Sequence, residues 1–156
     1  MKMMRFLILT SALLVATHAV TYRLDISTMY GTNADTDGGI YAALVGSNGR
    51  MVNLGMLDNM DKNDFEEGNL DTFEILSTVD VGDLGCVILS AASDDAWRMG
   101  SVRASSSSSA TEILWFSNLS WEEDKTDDWI STDASEGQLA KIWCSSTVVN
   151  WEYNYN

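Results

Sequence analysis

Tyr22, Leu24 and Ile26 alternate with Arg23, Asp25 and Ser27, the period of two that a strand shows when one face is buried and the other is wet. Short runs rich in Val, Ile, Tyr, Trp and Leu then recur along the chain, and no long stretch carries helical periodicity. Ile40 to Val45 is apolar at every position, which predicts a strand in the interior of a sheet. Further strands are predicted at Met51 to Leu57, Asp71 to Ser77, Cys86 to Ala91, Trp97 to Arg103, Thr111 to Phe116 and Leu139 to Cys144. The pattern predicts an all-β fold, an eight-stranded antiparallel β-sandwich of two four-stranded sheets.

Turn residues fall between these runs, at Gly46-Ser47-Asn48-Gly49 and Val81-Gly82-Asp83-Leu84-Gly85. The serine run Ser105 to Ser109 reads as a flexible hairpin loop, and the longest connection runs from Ser117 to Gly137.

The first nineteen residues are of another kind. Lys2 and Arg5 precede an apolar run from Phe6 to Ala16 that closes on Thr17-His18-Ala19, the layout of a secretory signal peptide too short to span a bilayer. Residues 1–19 are therefore expected to be removed, leaving a β-sandwich domain at 20–146 and a polar tail at 147–156. No later segment is apolar enough for a membrane helix, so a secreted chain with no transmembrane segment is expected.

Composition then narrows the function. The 156 residues hold 23 acidic and 9 basic side chains, a net charge of −14. Loss of Lys2 and Arg5 leaves seven basic side chains and a net charge of −16. Nucleic acid is excluded as a partner, since phosphate binding draws its affinity from clustered Lys and Arg. His18 is the single histidine, so the mature chain lacks the residue that Ser-His-Asp and Cys-His mechanisms and His-ligated metals require. Only carboxylate chemistry is left to an enzyme, and the expectation is a protein that is not one. Cys86 and Cys144, an even count in an oxidising compartment, are expected to form a disulfide, the other arrangement being two buried thiols. Asn118-Leu119-Ser120 is an N-glycosylation sequon at Asn118.

Three predicted loops gather acidic and amide oxygens beside glycines: Asn33 to Gly39, Asp58 to Gly68, and Ser93 to Trp97. Such oxygens suit calcium, which takes six to eight of them at flexible geometry, and they equally suit solvated turns in a very acidic protein.

Asn63-Asp64-Phe65-Glu66-Glu67-Gly68-Asn69-Leu70-Asp71-Thr72-Phe73 resembles the N-x-F-E-x-G-x-x-D-x-F signature of the PLAT domain, the β-sandwich of lipoxygenases, lipases, polycystins and bacterial alpha-toxin. Thr36-Asp37, the run Ile40 to Gly46, and Gly49 are similar to another stretch of the same family, as are Asp83-Leu84-Gly85 and Asp94-Asp95-Ala96-Trp97, all in the family's order. The resemblance is good from Tyr22 to Arg103 and looser beyond.

It implies a calcium site made by Asp35 through its backbone, Asp37, Asn63, Asp64, Glu66, and Asp94 or Asp95, with Asp35 standing where the family usually has glycine. It gives Asp71 and Phe73 structural roles, and it implies docking on a lipid or membrane surface through loop aromatics. The candidates for lipid contact are Trp121 and Trp129 in the long connection, with Tyr30 and Met60 in the first two loops. Trp97, Trp115 and Trp143 fall on predicted strands and are assigned to the core. The resulting expectation is a stand-alone secreted PLAT-like module that binds a lipid surface or a lipid-associated protein. The rival is a calcium-independent extracellular interaction or matrix protein that works through its acidic surface. Glu122-Glu123-Asp124 with Asp127-Asp128 reads as a solvated acidic stretch.

Overall fold

The computed structural model describes residues 19–31, 33–116, 129–132 and 139–144. Residues 1–18 of the expected signal segment, Asn118, Trp121, the acidic stretch from Glu122 to Asp128 and the tail at 147–156 lie outside them.

The strands are β1 (Val20–Thr28), β2 (Ile40–Gly46), β3 (Met51–Leu57), β4 (Leu70–Ser77), β5 (Leu84–Ala91), β6 (Trp97–Ser106), β7 (Ser109–Phe116), β8 (Trp129–Ile130) and β9 (Ala140–Cys144). They form two antiparallel sheets. The first has the order β4-β1-β6-β7, with β8 added on β6, and the second has the order β3-β2-β5-β9. The expected eight strands in two sheets of four thus become nine among the described residues, in sheets of five and four. The additional strand is two residues cut from the long connection, where Trp97 pairs with Ile130 and Arg98 with Trp129. A segment that short has no periodicity to read.

The serine run is a second correction. Ser105 and Ser106 belong to β6 and Ser109 to β7, so only Ser107 and Ser108 make the turn. The Ser106 and Ser108 hydroxyls share a hydrogen bond at 2.9 Å, which tightens what composition alone reads as loose.

The apolar positions of the alternating strands meet between the sheets. On β1 these are Val20, Tyr22, Leu24 and Ile26, which pack with Ile40, Ala42 and Leu44 of β2 and with Val87 and Leu89 of β5. Burying such side chains is worth roughly 1.5 to 3 kcal/mol each and drives the two layers together. The fully buried Tyr22 keeps its hydroxyl satisfied by donating to the Val79 carbonyl at 2.9 Å and accepting from the Val81 amide at 3.0 Å. Cys86 and Cys144 are direct partners across β5 and β9, and they are joined by a disulfide that closes the edge of the second sheet.

The outer faces of the two sheets differ. On the first, Arg23, Asp25 and Glu74 form an ion-pair cluster, and Arg103 grips Glu112 with contacts down to 2.8 Å. On the second, the register places Tyr41, Ala43, Val45, Met51, Ile88 and Ile142 on one face with no ionisable neighbour among the described strand residues of that face. Among the described residues no helix is long and apolar enough to cross a membrane.

Candidate functional site

Ile40 pairs with both Leu57 and Ala91, which brings the start of β2 level with the ends of β3 and β5. Ser27 near the end of β1 pairs with Leu70 at the start of β4. The β1–β2, β3–β4 and β5–β6 loops therefore leave the sandwich at one end, and these are the three acidic loops singled out in the sequence.

The first and third loops are clasped together. Asp95 turns its carboxylate onto the first loop, where Oδ2 accepts the Thr36 hydroxyl at 2.9 Å and the Asp37 amide at 2.8 Å. Thr36 is buried, and its Oγ1 also accepts the Gly38 amide at 2.9 Å. Backbone bonds from Arg98 N–H to the Ala34 carbonyl at 3.0 Å and from Ala92 N–H to the Gly39 carbonyl at 2.8 Å complete the seam. The fit is close: a Cβ on Gly38 would stand 1.9 Å from the Ser93 hydroxyl. Asn33, two residues before Asp35, takes the left-handed conformation at φ 59°, while Asp35 itself does not, so its position needs no glycine.

The second loop is folded around Phe65. This residue holds φ 64°, an unfavourable conformation for a bulky side chain, and is fixed there from both ends. Its ring is buried against Phe73 and Trp97, with centroids 5.5 and 5.0 Å away. Its amide donates to the fully buried Asp71 at 2.7 Å. Asp71 also accepts the Lys62 ammonium, and that hydrogen bond, with the charges of Asp71 and Asp64, raises the Lys62 pKa against the effect of burial. Asp64 accepts the Asn59 amide at 2.6 Å and the Asn59 side chain at 2.8 Å, with Lys62 Nζ 3.9 Å away. Asn63 donates to Glu66, and the Glu67 carboxylate accepts the Gly31 amide at 2.8 Å, tying the second loop to the first. Gly68 sits at φ 71° beneath Tyr30, whose ring a Cβ would meet at 2.3 Å, so both its conformation and its surroundings call for glycine.

Between the first and second loops lies a cavity of about 230 Å³, lined on one side by Asp37 and on the other by Asp58, Asn63 and Asp64, with Lys62 on the same wall. Asp37 and Asp58 make no side-chain hydrogen bond or ion pair within the described residues. Of the residues assigned to calcium, Asp37, Asn63 and Asp64 are thus brought to one cavity. Glu66 reaches it through Asn63, Asp95 secures the first loop from behind, and Asp94 is exposed, its carbonyl accepting the Ser131 hydroxyl at 3.1 Å. Asp58 and Lys62 were not assigned roles by sequence, although both stand in the acidic loop. Asp58 is recognisable as the first polar residue after β3, whereas nothing local marks Lys62 as the partner of Asp71. Among the described residues no three Asp, Glu, His or Cys side chains converge as a metal site by themselves. The donors on the cavity wall are carboxylate and amide oxygens, a set whose chemistry fits a hard cation, with backbone carbonyls and water to complete it.

Around this end, Tyr30 is 79% and Met60 88% exposed. Trp129 is only half-buried on β8, with the Arg98 guanidinium 6.0 Å from its ring centroid.

Known proteins share this fold. The structure is similar to that of coral 8R-lipoxygenase, described for calcium activation via a C2-like domain, with 26% identity and a TM-score of 0.56 over 62% of this chain and 15% of that one. It is also similar to the alpha toxin of Clostridium absonum, at 17% identity and a TM-score of 0.57 over 81% of this chain and 32% of the toxin. A lipoxygenase carrying a Delta413-417:GS alteration matches at 19% identity and a TM-score of 0.55, over 80% of this chain and 16% of that one. This chain therefore spans between about a sixth and a third of the length of these neighbours. No curated protein sequence matches it. The PLAT/LH2 domain pattern matches residues 22–136, which takes in all three loops and every described strand but β9, with β1 from Tyr22 onward. By that match and by its fold, the chain belongs to the PLAT/LH2 domain family.

Proposed function

We propose that this protein is a secreted, non-catalytic PLAT domain that holds calcium between its end loops and docks by that end on a lipid surface. The observation that carries the reading is the placement of Asp37 across one cavity from Asp58, Asn63 and Asp64, with exposed Tyr30 and Met60 at the same end. The calcium activation described for the similar coral lipoxygenase supports it. Asp37, Asp58, Asn63 and Asp64 would hold the ion, with Glu66 orienting Asn63. Calcium bound there supplies positive charge, which a chain of net charge −14 needs to approach an anionic headgroup. Tyr30, with an apolar ring and a polar edge, suits the headgroup level, and Met60 the acyl boundary beneath it.

The test is a thermal melt in chelator and in millimolar calcium. A ligand at a hundredfold its Kd stabilises the native state by about 2.7 kcal/mol, so a rise of several degrees is expected, and Asp37→Asn removes it. A melting temperature that calcium leaves unmoved counts against the reading.

A second reading has its own support in the uncharged outer face of the second sheet. A contact there with an apolar surface of a protein partner would need no calcium. Met51→Glu with Tyr41→Glu would abolish such binding and leave lipid docking intact.

A further inference from the structure

Lys62 is the one basic residue among those lining the cavity, and its ammonium serves two carboxylates at once. Nζ donates to Asp71, whose side chain is fully buried, and lies 3.9 Å from Oδ1 of Asp64, whose side chain is 6% exposed. A buried carboxylate is tolerated only when it is neutralised or fully hydrogen-bonded. Asp71 receives the Phe65 amide and Asp64 the two Asn59 groups, and the remaining charge of both is met by the same lysine. A dication held against Asp64 would share that carboxylate with an ammonium a few ångströms away.

We propose that Lys62 is a built-in counter-ion that competes with calcium for the second loop. With Nζ in place, the loop holds its shape around Phe65 and Asp71 without metal, and Asp64 is kept paired. Binding of a dication in the cavity requires the ammonium to withdraw from Asp64 while it keeps Asp71. Nearly half of the lysine side chain is exposed, at 45%, which leaves it room to move away. Lys62 thereby lowers calcium affinity, so that the domain loads only where calcium is abundant. The competition rests on the calcium reading above, whereas the counter-ion role stands on the geometry alone.

Isothermal titration of calcium chloride into the full chain, as wild type and as Lys62→Gln, tests the proposal. Removing a positive charge from the wall of the cavity is expected to tighten binding about tenfold or more, while Lys62→Arg, which keeps the charge, stays near wild type. Asp37→Asn is expected to abolish binding in each background, which confirms that the heat comes from this cavity. In chelator, Lys62→Gln should melt lower than wild type, and calcium should restore more of its stability than it adds to wild type. If Lys62→Gln does not fold, Lys62→Gln/Asp71→Asn removes the buried charge together with its counter-ion and serves the same comparison. Wild-type binding with equal or weaker affinity in Lys62→Gln, or in Lys62→Gln/Asp71→Asn where that replaces it, overturns the competition and leaves the calcium reading standing. No binding in wild type or variants overturns both.

Discussion

The indole N–H of Trp97 donates to the Thr28 hydroxyl at 2.9 Å in the interior of the sandwich, with Trp97 fully buried. Trp97 leaves the third loop, Thr28 ends β1, and the same indole packs on Phe65 of the second loop. One side chain thus anchors all three loops to the core. Thr28→Val keeps the shape but leaves a buried donor unsatisfied, which costs about 1 to 3 kcal/mol. Trp97→Ala is expected to cost about 3 to 5 kcal/mol through the cavity it leaves. Urea denaturation of the two variants checks both values, and equal stability of Thr28→Val and wild type would show that the bond contributes nothing.

Asp95 is expected to act on the site without touching the ion. Asp95→Ala leaves the Asp37 amide without its acceptor and removes one of the two acceptors of the Thr36 hydroxyl, at a cost of about 1 to 2 kcal/mol. Loss of the clasp also lets Asp37 wander, so calcium affinity should fall, while Asp94→Ala changes neither quantity. Denaturation and calcium titration of both variants separate the roles.

Acid should weaken the first sheet. Burial pushes the Asp25 carboxyl up, but hydrogen bonds from Arg23 and Thr72, with the charges of Arg23 and Arg103, outweigh it and hold the group below its ordinary value. The Gly82 amide and Ser108 hydroxyl hold Asp80 down in the same way. A carboxylate lowered in the folded state adds stability that is complete above the unfolded value and is lost as pH falls through the folded one. Stability should therefore decline below about pH 4, and more steeply in wild type than in Asp25→Asn. Urea melts between neutral and strongly acidic pH measure the two slopes, and parallel slopes would contradict this assignment.

The Cys86–Cys144 bridge closes a separation of 58 residues, for which the chain-entropy account gives about 4 kcal/mol. Its loss bears first on β9, which pairs only with β5 among the described strands and carries Trp143 against Trp115 at 5.2 Å. Replacing both cysteines by serine should lower stability by that amount and change the tryptophan fluorescence before the bulk of the chain unfolds. Alkylation of unreduced protein should add no mass at either cysteine.

Much of this architecture is legible in the chain because its signals are local. Alternation marks β1, an unbroken apolar run marks the central β2, and paired glycines and acidic residues mark the loops. The motif around Phe65 is legible too, since its residues lie within eleven positions of one another. β8 has only two residues, with too few positions to show a period, and it exists because β6 offers it an edge. The roles of Lys62 and Asp95 were likewise hidden. In a loop rich in carboxylates one lysine looks solvated, and which of two adjacent aspartates turns inward depends on where the first loop lies. Asp71 was legible as structural, but the ammonium that neutralises it was not, because an ion pair nine residues long has no pattern in sequence.

The most direct test of the account is co-sedimentation of the full chain with neutral and anionic liposomes, in calcium and in chelator. Sedimentation with vesicles is expected only when calcium is present, with loss of it in Asp37→Ala/Glu66→Ala and weakening in Tyr30→Ser/Met60→Ser. Equal sedimentation in calcium and chelator, or none on either lipid, would contradict it.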